Sequence, residues 1–211
     1  MTEHPFQTAV GFDLAAIFLF AITGALAGVR KHYDLVGVSV LALATALAGG
    51  LLRDIFLQRG TPVLLTDGRY LIAVLSGTAV VAILRSHLHR LRLVILVLDA
   101  LGLGIYGVVG AQKALVAGLP VMTALLLGTV NAVGGGLVRD LFTGEEPIIF
   151  KPGEWYALSA VAGCGIFLAL AAAGVSPQRA ALVGILVAFS TRLLSIRLGW
   201  RTGPLADERD E

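Results

Sequence analysis

The sequence predicts an all-α integral membrane protein of seven transmembrane helices, built as an inverted three-plus-three repeat with a seventh helix outside the symmetry. Three observations predict it. Hydrophobic residues make up 57% of the 211 residues and charged residues 14%, with a mean hydropathy of +0.87; soluble domains carry roughly 45–50% apolar and about 25% charged residues. Seven apolar stretches approach the roughly 20 residues that a helix needs to cross a bilayer. The chain also matches itself when shifted by 86 residues. So much apolar surface excludes a soluble enzyme, a nucleic-acid-binding domain and a secreted disulfide scaffold. The formal charge of +2 and pI near 8.9 give no basic stripe for nucleic acid. Cys164 is the only cysteine, which leaves neither an intrachain disulfide nor a zinc cluster.

The first span, Thr8–Val29, is apolar around Asp13 and carries Gly24-x-x-x-Gly28. The second, Leu35–Leu57, contains Gly49-Gly50-Leu51-Leu52-Arg53-Asp54, and the third runs over Tyr70–Leu84. The fourth, Leu91–Gln112, holds Asp99 among leucines and valines, then Gly102, Gly104, Gly107 and Gly110, and ends at Lys113. The fifth, Pro120–Phe142, contains Gly134-Gly135-Gly136-Leu137-Val138-Arg139-Asp140. Trp155–Val175 forms the sixth span and Arg179–Leu198 the seventh. The connections are short, and the N-terminus lacks the basic region of a signal peptide, so the first span reads as retained. The acidic tail Asp207–Glu211 reads as disordered.

The 86-residue shift lays Asp13 on Asp99, Gly24-Ala25 on Gly110-Ala111, Gly49-Gly50 on Gly135-Gly136, Arg53-Asp54 on Arg139-Asp140 and Tyr70 on Tyr156. Pro62 and Pro147 align with a slip of one residue. The organisation is therefore a first repeat over 8–92, a second over 93–175, a seventh span over 176–200 and a tail over 201–211. Three crossings per copy force the second copy to enter with opposite polarity. The copies are then related by a pseudo-two-fold axis in the membrane plane, an arrangement that puts a site or pathway near the midplane. Arg30, Lys31, Arg85, Arg90, Arg92, Lys151, Arg197, Arg201 and Arg209 collect on one face, against Arg59, Arg69, Lys113 and Arg179 on the other. This bias puts the N-terminus outside and the C-terminus inside. Arg53, Arg139 and Arg192 lie within spans.

The candidate site residues are the glycines Gly49, Gly50, Gly134, Gly135 and Gly136 and the charges Arg53, Asp54, Arg139, Asp140, Asp13, Asp99 and Lys113. Glycine costs a helix about 1 kcal/mol relative to alanine, so two or three together invite a kink or an unwound turn, and freed carbonyls are cation ligands. An arginine or aspartate at mid-helix costs about 2.5–3.5 kcal/mol and faces a partner or a water-filled path. Neighbours on a helix diverge by about 100°, so the expected pairs cross the axis, Arg53 with Asp140 and Arg139 with Asp54. These pairs fit a structural clamp or a pathway. Asp13 and Asp99 could attract cations, or an aspartate in a first turn could simply favour the helix dipole. Lys113, whose mate is Ala27, either snorkels to the interface or acts as a gate. The glycines of the first and fourth spans fit close helix contact within a subunit or between subunits. His4, His32, His87 and His89 have no metal-ligand spacing.

With its doubled Gly-Gly-x-x-Arg-Asp, the chain resembles the bacterial trimeric intracellular cation (TRIC) channel family over about residues 8–198. The same domain is also known as an uncharacterised membrane family and as a glycine transporter domain. The resemblance implies a seven-span homotrimer with one pore inside each subunit. Its second and fifth spans would bend at Gly49-Gly50 and Gly134-Gly135-Gly136, and Lys113 resembles a family lysine after the fourth span. It implies a non-enzymatic protein without cofactor, permeant to potassium, with sodium also allowed. Its partners would be membrane lipid, its own copies and monovalent cations, with no nucleic acid, in a bacterial or archaeal cell (inner) membrane. Two further readings stay open: a secondary transporter of a small zwitterion such as glycine, whose carboxylate an arginine could hold, and a structural subunit with no pathway.

Overall fold

The structure is a computed structural model and describes residues 5–58, 60–84, 91–152, 155–200 and 202–203. The acidic tail, His4, His87, His89, Arg59, Arg85, Arg90, Arg201 and Arg209 lie outside the described residues. Among the described residues eight α-helices follow in order: α1 Pro5–Arg30, α2 Leu35–Leu57, α3 Val63–Thr66, α4 Gly68–Leu84, α5 Leu91–Val116, α6 Val121–Phe142, α7 Ala157–Ala172 and α8 Pro177–Leu198. All seven expected helices form, and the single turn of α3 is added. Five are long and apolar enough to cross a membrane. The other two, α4 and α7, have 17 and 16 residues, or about 25 Å at 1.5 Å per residue. They hold the same place in the two repeats, and each follows a short helical turn, α3 in one and Ile148–Phe150 in the other. Helix α7 is shorter than the expected Trp155–Val175. Trp155 lies ahead of it, its amide donating to Ser195 Oγ at 2.7 Å, and the far end stops before Gly174, at φ 78°.

The turns repeat with the same offset. Left-handed residues close α1 and α5 at His32 (φ 59°) and Gly118 (φ 79°), and α2 and α6 at Gln58 (φ 49°) and Gly144 (φ 67°). The second copy thus uses glycine where the first bends a side-chain-bearing residue into a region that favours glycine.

Helix α1 packs on α2, α4 and α5; α5 packs on α6, α7 and α8; and α2 crosses α6. Helix α8 rests on α5 and α7, so it belongs to the side of the second repeat. The molecule is apolar outside and polar within. Val40, Ile55, Ile72, Ile83, Met122, Leu126 and Leu186 are exposed, whereas Asp13, Arg53, Asp99, Asn131, Arg139, Asp140 and Arg192 are buried. Water rewards the reverse arrangement, and lipid rewards this one.

Glycine builds the central crossing. A Cβ on Gly135 would stand 2.7 Å from the Thr45 carbonyl, and one on Gly49 would strike the Asn131 carbonyl. Thr45 and Asn131 are themselves repeat mates, so α2 and α6 meet backbone to backbone about the pseudo-axis. The expectation of an unwound turn is not met: α2 and α6 are helical without interruption through their glycines. Absent side chains are used here for close approach, and the helix hydrogen bonds stay intact. Gly24 and Gly28 pack on α2, Gly104 on Ile185 of α8, and Gly107 near Cys164 and Ala132. All four therefore serve contacts within the subunit.

Candidate functional site

Each repeat closes a charged cluster where its first helix begins and its second helix ends. In the first, Arg53 donates from Nη1 to Asp13 at 3.0 Å and from Nε to Asp54 at 2.8 Å. In the second, Arg139 donates from Nη1 to Asp99 at 2.5 Å and from Nε to Asp140 at 3.0 Å. The second carboxylate oxygen of Asp54 accepts from the Val63 amide at 3.1 Å, and that of Asp140 from the Ile148 amide at 3.2 Å. These amides keep the one-residue slip of the preceding prolines.

The expected cross-axis pairs, Arg53 with Asp140 and Arg139 with Asp54, are corrected by this geometry. Each arginine is held by the next residue and by the first helix of its own repeat. Divergent Cα–Cβ directions govern short side chains. The arginine stem is long, and its planar fork offers one edge to the adjacent carboxylate and another to a neighbouring helix. Asp13 and Asp99 are thus partners of the arginines. Each Asp–Arg–Asp cluster carries a formal charge of −1.

Because α5 runs antiparallel to α1, the clusters lie at opposite ends of the bundle, and the ends differ. Beside Asp99, Arg139 and Asp140 lies a cavity of about 400 Å³, lined also by Ala27, Arg30, Arg92, Glu145, Lys151 and Arg192. The mate beside Asp13, Arg53 and Asp54 has shrunk to about 10 Å³ and is lined by Leu47, Gly50, Tyr70 and Tyr106 as well. Sequence differences account for the contrast. Lys113 reaches across to Asp13 at 2.5 Å, whereas its mate Ala27 leaves the cavity at the other end unfilled. Tyr70 donates to Asp13 at 2.9 Å. Among the described residues, its mate Tyr156 has a buried hydroxyl with no hydrogen-bond partner, and the Arg192 guanidinium lies 5.2 Å from the ring centre.

A strap spans the rim of the large cavity. Arg30 and Lys31, at the end of α1, both pair with Glu145 beyond α6, and Tyr33 donates to the Phe142 carbonyl at 3.2 Å. Partial burial raises the Glu145 pKa, but the hydrogen bonds from Arg30 and Lys31 outweigh it and hold the carboxyl below its ordinary range. Sequence reading missed this strap, the roles of Tyr70 and Tyr156, and Tyr106, which stacks on Phe20 in the core. It recorded Arg192 as intramembrane without assigning it, although an arginine deep in an apolar span was the available signal. Among the described residues, no group of three histidine, cysteine or acidic side chains is placed to hold a metal.

The family model described as glycine transporter matches residues 10–86 and again 96–172, two segments offset by 86 residues. A UPF0126 membrane protein of Deinococcus radiodurans is 35% identical over 186 residues, spanning 88% of this chain and 86% of that protein. The UPF0126 inner membrane protein YadS of Escherichia coli K12 is 32% identical, over 88% of this chain and 90% of that protein. The structure of the TRIC trimeric intracellular cation channel orthologue from Rhodobacter sphaeroides superposes with a TM-score of 0.83 at 32% identity, covering 90% of this chain and 98% of that one. A prokaryotic TRIC channel in 0.5 M KCl superposes with a TM-score of 0.85 at 28% identity, over 92% and 98%.

Proposed function

The chain belongs to the glycine transporter family and shares the fold of the bacterial TRIC channels, and from that premise we propose that it is a monovalent cation channel permeable to potassium, and also to sodium. It works as a homotrimer with one pore inside each subunit, lined by α2 and α6 where Gly49, Gly50, Gly134, Gly135 and Gly136 let them cross. The protein sits in the cell (inner) membrane with its N-terminus outside and its C-terminus inside, in contact with lipid. The observation that carries this reading is the pair of buried Asp–Arg–Asp clusters at opposite mouths of one apolar bundle. The Asp99–Arg139–Asp140 cluster has a formal charge of −1 and favours a cation while its arginine is neutralised, whereas Lys113 brings the Asp13–Arg53–Asp54 cluster to zero as long as it stays bound. Asp13, held by Lys113, shuts one mouth; Asp99, facing Ala27 and the 400 Å³ cavity, leaves the other open.

The test is single-channel recording of purified protein in planar bilayers with a potassium gradient. Discrete levels reversing at the potassium potential support the reading, and their absence overturns it. Independent pores require that mixing in Gly136→Leu subunits lowers trimer conductance in thirds, whereas loss of all current with one such subunit means a shared central pore. A second reading, a carrier of a small zwitterion such as glycine, is favoured by the open-and-shut contrast of the mouths, which is the form alternating access takes. Saturable glycine uptake without unitary currents would select it.

A further inference from the structure

Tyr106 occupies the point where the shut mouth meets the centre of the bundle. Its side chain is fully buried and stacks on Phe20, with ring centroids 5.2 Å apart and planes at 26°. Phe20 is its repeat mate, so the two rings face each other about the pseudo-axis and differ by one hydroxyl group. That hydroxyl donates to the Ala46 carbonyl at 2.6 Å. Ala46 stands four residues before Gly50, so its carbonyl is also the acceptor that the Gly50 amide uses in a regular helix. A Cβ on Gly50 would lie 3.8 Å from the Tyr106 hydroxyl. The phenol therefore lies against Gly50, where α2 presents no side chain, on the wall of the 10 Å³ pocket with Asp13 and Arg53. The backbone behind the ring is pinned as well, because Asn131 Nδ2 donates to the Tyr106 carbonyl at 2.5 Å. Across the axis Phe20 has no donor for Ala132, the mate of Ala46.

We propose that Tyr106 sets whether the shut mouth conducts: its hydroxyl, anchored on the Ala46 carbonyl, holds the ring across the route from the Asp13–Arg53–Asp54 cluster to the bundle centre. This rests on the channel reading. Release of the hydroxyl frees the ring to turn and leaves the Ala46 carbonyl facing the path as a cation ligand. The lysine–aspartate contact at the rim and the phenol at the floor are then two barriers in series.

Tyr106→Phe removes the anchor and keeps the ring, the stack and the volume. The Ala46 carbonyl retains its helix bond, so no buried acceptor is orphaned. One neutral hydrogen bond shifts an equilibrium by roughly 2- to 10-fold, and the open probability of the full-length protein should rise by that factor. A second readout does not depend on current. Leu47 lines the pocket, and Cys164, the only cysteine, is buried. Leu47→Cys should therefore react with a water-soluble methanethiosulfonate about 2- to 10-fold faster when combined with Tyr106→Phe. Should Tyr106→Phe fail to assemble, 3-fluorotyrosine at position 106, a stronger donor of the same shape, should slow the labelling instead. Unchanged open probability with unchanged labelling overturns the proposal. Wild-type protein that gives no unitary currents defeats the channel reading alone, because the labelling still reports whether the hydroxyl holds the mouth shut.

Discussion

Lys113→Ala gives the shut mouth the residue that the open mouth already has. In the closed arrangement Lys113 Nζ lies 2.5 Å from Asp13, with the lysine side chain 19% and the aspartate 1% exposed. Removing one partner of a buried pair costs about 3–5 kcal/mol when the other is left alone, but Asp13 keeps Arg53 and Tyr70. The loss therefore falls in the range of one charged hydrogen bond, about 1.5–3 kcal/mol. On the channel reading proposed above, the contact is made with the mouth shut and broken when it opens, so the loss falls on the closed state. At about 1.4 kcal/mol per factor of ten, the closed-to-open ratio should fall by about 10- to 100-fold. The assay is open probability in planar bilayers, with melting temperature in detergent as a check on folding. The reciprocal variant, Ala27→Lys, should reach Asp99 and reduce current through the open mouth. A folded Lys113→Ala protein whose open probability stays within about twofold of wild type would refute the reasoning that the lysine holds the closed state.

Asp54→Asn and Asp140→Asn each weaken a buried arginine pair by about 1–3 kcal/mol and should lower the melting temperature by about 2–10 °C; unchanged melting in both removes the clamping role. Gly135→Ala drives a methyl group against the Thr45 carbonyl and should abolish assembly on gel filtration, whereas Gly50→Ala, whose Cβ meets nothing closer than 3.6 Å, should assemble normally. The strap at Glu145 should respond to acid. Its carboxyl titrates lower folded than unfolded, so its contribution is fully present above the unfolded value near 4.5 and fades as pH falls through the depressed folded value. Glu145→Gln should flatten the dependence of melting temperature on pH in that acid range, and a profile identical to wild type argues against the strap.

The spans and the repeat were legible because they rest on composition and periodicity, which survive without knowledge of neighbours. The buried charges were legible for the same reason: an Asp or Arg inside an apolar run stands out wherever it later points. Their partners were not. Arg53 was expected to avoid Asp54 because Cα–Cβ vectors diverge, yet the flexible stem let the fork turn back onto it. The glycines suggested a broken helix. Whether a glycine breaks a helix or admits another backbone depends on what crosses it, here the Asn131 and Thr45 carbonyls. The inequality of the mouths was half visible, since Lys113 opposite Ala27 breaks the symmetry in sequence. The tyrosine contacts and the cation over Tyr156 depend on side-chain reach through the fold.

Because each arginine finds both of its carboxylates inside its own repeat, the two halves can enter the membrane one after the other. An arginine inside a span, even in its last turns, adds to the cost of insertion. Asp13 precedes Arg53 by 40 residues, as Asp99 precedes Arg139. The neutralising carboxylate is thus made before its arginine. Had the pairs crossed the axis, Arg53 would have waited in lipid for Asp140, until five spans had been made. Synthesis can therefore proceed two helices at a time, each buried arginine meeting its carboxylates within its own half. The glycine crossing of α2 and α6 then joins the halves, and Lys113 meets Asp13, and Arg30 and Lys31 meet Glu145, between them.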